Sequence, residues 1–285
     1  MKIALIIPQN KGDWQIYIAR ELVNLRHEIL VNTCTDDCDV IIGMTHTQWA
    51  VLQYWHKAFP NIPMVTYNWD WYDYIDKTKE GWTEFIKLMK ESIDVWSSSK
   101  ITAKKCEKDT GIKSDLYGYS FVLPWEWEGE IRDWGYVMQA SRPDDNKRFN
   151  WFIKACRELD IPYKAYYPKI NKREDYIRTL QHCSFMVSSS KEESIAGLTL
   201  MEAVYNKKPI FLGDHESSKE IWGKDAVTYK TDSYEDYKKQ LEWMWKNYKS
   251  LGVQNKVQRA YQKVIDNYMP EIFAKKINNR LNKIL

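Results

Sequence analysis

Apolar residues gather in this chain into short runs separated by amphipathic stretches, and the alternation predicts strands and helices in turn. Lys2-Ile3-Ala4-Leu5-Ile6-Ile7 opens it, a run of the kind a parallel strand buried on both faces requires. A loop from Pro8 to Asp13 follows, with Gly12 its only glycine, and then Ile16, Ile18, Ala19, Leu22 and Leu25 on one helical face. Further strands are predicted at 27–31, 39–43, 63–67, 93–96 and 114–117, with helices over 49–57 and 101–110. Such alternation is that of an α/β domain built on a parallel sheet.

From Gly118 to Asp133 the alternation stops. Pro124, Gly129 and the acidic, Trp-rich Trp125-Glu126-Trp127-Glu128 mark a linker, taken as 121–133 between domains at 1–120 and 134–268. The pattern restarts at Trp134-Gly135-Tyr136-Val137-Met138-Gln139-Ala140, with strands recurring near Tyr163, Phe185, Ile210 and Val227. From Tyr234 onward the chain reads as helical, broken at Pro270, and 269–285 is taken as a terminal helix. No repeat has a solenoid period.

The stretch with most chemistry runs from Ser188 to Leu212. A strand end passes into a Ser/Lys/Glu loop, then Gly197, a helix over 198–205 with Leu198, Met201, Ala203 and Val204 largely inward, and a strand led by Pro209. A glycine at a helix start on the carboxyl end of a parallel strand offers backbone N–H groups and a positive dipole end to an anion. Glu202, one turn in, is placed to accept hydrogen bonds from ribose hydroxyls.

This stretch resembles the signature of the retaining GT-B glycosyltransferases of glycosyltransferase family 4, roughly E-x-F-G-L-x-x-x-E-A followed by a Pro-led strand. Gly197, Leu198, Thr199, Glu202, Ala203 and Pro209 match it. The family's first acid falls at Ser194, whereas this chain has Glu193, so either a one-residue bulge keeps Glu193 at the sugar or that role is weakened. A second match is Ala140-Ser141-Arg142-Pro143-Asp144-Asp145-Asn146-Lys147, where the family has G-R-x-x-x-x-K; Arg142 and Lys147 keep the spacing and Ser141 replaces the glycine. The resemblance implies that Arg142 and Lys147 neutralise the donor diphosphate. In the loop Gly213 to Ile221, Glu220 matches a family acid, or is a helix-start acid complementing the dipole.

What the resemblance implies for the whole chain is an α/β GT-B fold, two Rossmann-like domains facing across a cleft, with C-terminal helices crossing back to the N-terminal domain. The implied enzyme is a glycosyltransferase, hexosyl or pentosyl, that moves a sugar from a nucleotide diphosphate sugar to an acceptor hydroxyl with retention. The nucleotide sugar is a co-substrate, and no other cofactor and no metal site is expected. Donor binding falls to Gly197, Leu198, Thr199, Glu202 and Gly12, and catalysis to Arg142, Lys147 and Glu193. The family's histidine after the fourth strand is missing; Asn68 or Asp70 substitutes for it, with His46 another candidate, and Trp69, Trp71 and Tyr72 offer stacking faces. Asp70 and Asp73 do not make a D-x-D metal pair.

Composition narrows this only a little. The chain of 285 residues is long enough for two such domains, and the formal net charge of +3 is too small to imply nucleic acid by itself. The 14 Trp and 19 Tyr supply stacking surfaces for sugars or bases as well as packing. Five cysteines in no zinc pattern, with no signal peptide, suggest reduced thiols in a cytoplasm, and no apolar run reaches the roughly 20 residues of a transmembrane helix. The expected acceptor is a saccharide or glycan precursor. Lys100, Lys104, Lys105, Lys108 and Lys113 cluster around one predicted helix, and keep open a phage-type DNA glycosyltransferase acting on hydroxymethylated bases. A degenerate nucleotide-sugar-binding module without turnover is the other alternative; a Rossmann oxidoreductase is disfavoured because 8–13 lacks G-x-G-x-x-G.

Overall fold

A computed structural model describes residues 1–8, 14–44, 46–69, 71, 76, 78–121, 132–141, 145–166, 173–193 and 197–285. Gly12, Asp70, Arg142 and Ser194 lie outside them, as does most of the expected linker. The chain divides into two compact units, Met1–Val122 with Asn267–Leu285, and Leu123–Asp266.

The first unit holds β1 (Lys2–Ile6), α1 (Trp14–Asn24), β2 (Glu28–Val31), β3 (Val40–Gly43), α2 (Trp49–Ala58), β4 (Met64–Asn68), α3 (Glu80–Glu91), β5 (Asp94–Ser97), α4 (Lys100–Thr110) and β6 (Leu116–Tyr117). Its strands form one parallel sheet in the order β2-β1-β3-β4-β5-β6. The apolar runs are buried as expected: Ile3 to Ile6 and Val40 to Ile42 are each 0% exposed. α3 was not anticipated, although Trp82, Phe85, Leu88 and Met89 mark its buried face at helical spacing. Ser99 caps α4 by accepting from the Thr102 N–H at 3.0 Å, and Gly111 ends it in the left-handed conformation at φ 75°.

The second unit holds β7 (Val137–Ala140), α5 (Phe149–Glu158), β8 (Tyr163–Tyr166), α6 (Arg173–His182), β9 (Phe185–Ser188), α7 (Leu198–Tyr205), β10 (Ile210–Gly213), α8 (Glu216–Ile221), β11 (Val227–Tyr229), α9 (Tyr234–Asn247) and α10 (Leu251–Asn267). Its parallel sheet has the order β11-β10-β9-β7-β8. Crossing from β7 to β8 runs opposite to crossing from β8 to β9 and β9 to β10, so right-handed connections put α5 on one face and α6 and α7 on the other. Phe152, Ala155 and Cys156 of α5 accordingly share a core with Tyr237, Leu241 and Met244 of α9.

After α10 the chain ends in α11 (Pro270–Ile284), which belongs to the first unit and packs against α1. Arg280 of α11 holds Asp94 with two bonds, 2.6 and 3.0 Å, and reaches Asp115 at 2.9 Å. Phe273 packs beside Tyr67, and His27 Nε2 pairs with Asn278 Oδ1 at 2.9 Å.

Both sheets reverse their strand order once, between β1 and β3 in the first and between β7 and β9 in the second. In doubly wound sheets, ligands bind beyond the carboxyl ends of the strands at that reversal. The loops after β1, β3, β7 and β9 are therefore where chemistry is expected.

Candidate functional site

The reversal in the second unit brings two sequence motifs together. Lys147 stands in the loop after β7 and Glu193 in the loop after β9, and Lys147 Nζ donates to Glu193 Oε1 at 2.5 Å. The pair is withdrawn from water, with side-chain exposures of 13% and 7%. Neutral buried groups fix the two loops to each other. Asn146 Nδ2 donates to the Glu192 carbonyl at 3.0 Å, and its Oδ1 accepts from the Glu192 N–H at 3.1 Å. Its own carbonyl accepts from the Lys191 N–H at 2.8 Å. Gln139 of β7 donates to the Lys147 carbonyl at 3.0 Å, and Ser189 Oγ lies 2.8 Å from both that carbonyl and Gln139 Oε1.

Arg148, next to Lys147, is committed elsewhere. It sits at φ 43° before α5, lies 4.2 Å over the Trp151 ring, and binds the Thr231 carbonyl and Asp232. Lys147 is thus the described cation of this motif that faces the β9 loop. Gly197 precedes α7 at φ 76°, a conformation that favours glycine, and the first N–H groups of a helix have no partner inside it. Leu198 and Thr199 form the first turn of α7 and are half-buried. Met201, Ala203 and Val204 are buried as expected, Leu198 in the first turn is only half-buried, and Leu200 and Glu202 are buried as well.

Glu202 is 3% exposed, and the sequence did not reveal its partners. Arg173 Nη2 donates to its Oε1 at 2.8 Å, and the Tyr176 hydroxyl donates to its Oε2. Both come from α6, more than 25 residues away in sequence, which is why no local motif marked them. Burial pushes the Glu202 carboxyl pKa up, and Arg173 opposes that rise. Glu220 is exposed on α8, whose start is capped by His215 accepting from the Ser218 N–H at 3.3 Å.

The corresponding edge of the first unit has another character. His46, after β3, stacks on Trp82 at 4.1 Å with Phe85 edge-on at 6.4 Å. Its removal from water pushes its pKa down to about 4, so the imidazole is neutral at pH 7. Asn68, at the end of β4, is 0% exposed, and neither Oδ1 nor Nδ2 has a hydrogen-bond partner. Trp69 is half-buried beside Tyr67 and Tyr119, and its carbonyl accepts from Ser98 Oγ at 2.7 Å. Trp71 is no stacking platform: it is 0% exposed, edge-on to Trp82, and donates from Nε1 to Asp109 at 2.8 Å. Among the described residues, no three His, Cys, Asp or Glu side chains group as metal ligands, and no helix is long and apolar enough to cross a membrane.

No family model matches the chain, and no curated protein matches it in sequence. Solved structures do match in fold. Sucrose-phosphate synthase from Thermosynechococcus elongatus superposes with a TM-score of 0.75 at 9% identity, over 99% of this chain and 98% of that one. HepE of Anabaena, solved with UDP and glucose, gives 0.72 at 12% identity over 99% and 100%. The chain has the GT-B fold. A TarM variant from S. aureus, solved with fondaparinux, alpha-GlcNAc-glycerol and UDP, gives 0.66 at 15% identity; it matches 87% of this GT-B chain, which spans 56% of TarM.

Proposed function

We propose that the chain is a glycosyltransferase that moves a sugar from a nucleotide diphosphate sugar to an acceptor hydroxyl, with retention of anomeric configuration. The observation that carries this is the meeting of Lys147 and Glu193 at the β7/β9 reversal, beside the glycine-headed start of α7. The fold neighbours HepE and TarM were solved with UDP, which fits a uridine nucleotide donor. Lys147 would offset charge building on the departing diphosphate, together with Arg142 and the positive end of α7. No strong base is required, because the acceptor hydroxyl can pass its proton to the leaving phosphate as it attacks from the same face. Glu193, held on Lys147, would lie beside the sugar, Gly12 would serve the donor, and Asn68, Trp69, Asp70 and His46 would serve the sugar or acceptor side.

The acceptor is a saccharide or glycan precursor. A second acceptor class, hydroxymethylated DNA, is favoured by one observation: Lys100, Lys104 and Lys108 are all exposed on α4 at four-residue spacing, a continuous basic stripe. Half-buried Lys105 adds less to it, and Lys113 lies 3.9 Å from Glu107. The deciding experiment incubates the protein with labelled UDP-, GDP- and ADP-sugars, a panel of mono- and oligosaccharides, plain DNA and hydroxymethylcytosine DNA, at two salt concentrations. Transfer to saccharide is the expected result. Transfer to modified DNA that falls steeply with salt would establish the second acceptor class. Nucleotide binding without transfer or hydrolysis would leave a binding module, and no nucleoside diphosphate binding at millimolar concentration would remove the donor reading altogether.

A further inference from the structure

Two cations stand one turn apart on the same side of α11, and they are treated differently. Arg280 is held by Asp94 and Asp115, where β5 and β6 begin. Lys276 lays its stem beside Gly118, just after β6; a Cβ at Gly118 would lie 3.7 Å from Lys276 Cδ. α11 therefore runs antiparallel to the strands, with its amino end at the carboxyl edge of the first sheet. Helical side chains lean toward the amino end of their helix, so the Lys276 ammonium leans toward that edge. It is half-buried, and no carboxylate of the described residues pairs with it. Burial alone pushes its pKa below the ordinary lysine value.

A partly desolvated ammonium without a counter-charge costs stability. Asn68, ending β4, carries a similar cost: it is 0% exposed and neither amide atom has a partner. Gly118 and Asn68 flank Ser97, since the Gly118 N–H donates to the Ser97 carbonyl at 3.3 Å and Asn68 pairs with Ser97 in the sheet. Their backbones are thus two strand spacings apart on one edge, about 10 Å.

We propose that the acceptor carries an anionic group, a phosphate or a carboxylate, which Lys276 binds while Asn68 meets a hydroxyl of the same molecule. The proposal deepens the glycosyltransferase reading above and rests on it. A cation partly withdrawn from water, with no carboxylate beside it, attracts an anion more strongly than an exposed lysine does. An amide offers both a donor and an acceptor, so a hydroxyl satisfies Asn68 in either sense. Tyr67 packs on Phe273 of α11, and Asn68, next along β4, points to the other face of the sheet. The ligand therefore lies across the strand ends, its charge on the α11 side and its hydroxyls on the other.

The test is thermal melting of the full chain against rising glucose, glucose 6-phosphate and glucuronic acid. It is run with saturating UDP, ADP or GDP, whichever binds, so that the diphosphate site is filled and the added anion reports on another place. At least one charged sugar is expected to bind about tenfold more tightly than glucose, and the tighter of the two identifies phosphate or carboxylate. Lys276→Met keeps the apolar stem beside Gly118 and should cut that preference to about twofold or less. Lys276→Arg should keep most of it, and Asn68→Leu should weaken all three sugars alike. With labelled donor, kcat/KM for transfer to the three sugars should rank in the same order. Absence of any preference for the charged sugars overturns the proposal, as does a preference that persists in Lys276→Met or transfer that runs to glucose alone. If no nucleoside diphosphate binds, the donor reading fails instead; melts without nucleotide still read the dependence on Lys276, so the two failures are distinct.

Discussion

The two sheet reversals of this chain share a topology and differ in chemistry. At the β7/β9 edge charged groups are partnered: Lys147 with Glu193, on loops tied together by the amides of Gln139 and Asn146, Arg148 with the exposed Asp232, and Arg173 with Glu202, which also accepts from the Tyr176 hydroxyl. At the edge that carries His46 and Asn68 the named groups are neutral, one imidazole stacked on an indole and one amide with no partner. The proposed function uses that difference, with a departing diphosphate at the second edge and a hydroxyl-bearing acceptor at the first. Strand order locates both places, and only the side chains separate them.

The sharpest way to break the comparison is at its charged end. Lys147→Met leaves the Glu193 carboxylate, with its side chain only 7% exposed, facing no cation, and should destabilise the protein by about 3–5 kcal/mol. Adding Glu193→Gln should restore most of that stability, because the uncompensated charge is gone. Nucleoside diphosphate affinity should fall tenfold or more in the single variant and stay low in the double variant. Denaturant melts and calorimetry on the three proteins separate the two roles. Affinity that returned with stability would show Lys147 to be a structural partner of Glu193 and nothing more.

At the neutral end the expected effect is smaller and depends on pH. The folded-state pKa of His46 lies near 4, below the ordinary value near 6.5. Between those values the unfolded chain binds a proton that the folded chain refuses, so this contribution is complete above pH 6.5 and is lost as pH falls toward 4. The loss should amount to about 2–3 kcal/mol across that window. His46→Phe, which can keep the stack on Trp82, should flatten that part of the stability profile. An unchanged slope between pH 6.5 and 4 would place the imidazole in water instead.

How much of this was legible in sequence follows from the range of each signal. The α7 helix could be read at 198–205, because Gly197, the apolar face and Pro209 are local marks. The Arg142/Lys147 spacing placed Lys147 in the loop after β7, and that is where it lies, paired with Glu193. Arg173 and Tyr176 were invisible, since their link to Glu202 spans two helices and no local pattern encodes it. Asn146 stood inside a recognised motif, yet its clamp on Glu192 exists only once β7 and β9 are neighbours. α3 is marked in the sequence by Trp82, Phe85, Leu88 and Met89 at helical spacing, a local signal that needed no tertiary contact to be read. The aromatic loop before α3 made Trp71 look like a platform; its burial, and its bond to Asp109, follow from the packing of Trp82 and could not be read locally.

The smallest effects test the contrast most directly, because they use one substitution at two buried asparagines. Asn146 is 8% exposed, and its amide makes hydrogen bonds from both ends to the backbone of Glu192. Asn68 is 0% exposed and its amide makes none. Replacement by leucine, which is similar in size, removes an amide in each case. At Asn146 it leaves the Glu192 N–H and carbonyl short of partners, and stability should fall by about 1–2 kcal/mol. At Asn68 it removes two buried polar atoms that gain nothing in the folded state, and stability should rise by about 1–2 kcal/mol. Such a rise means that the native chain keeps Asn68 at a cost, as a residue selected to meet a ligand would be kept. The stabilised Asn68→Leu variant should then transfer sugar more slowly while nucleoside diphosphate affinity holds. A loss of stability at Asn68 equal to that at Asn146 would show a buried water satisfying the amide, and the two edges would differ less than their side chains suggest.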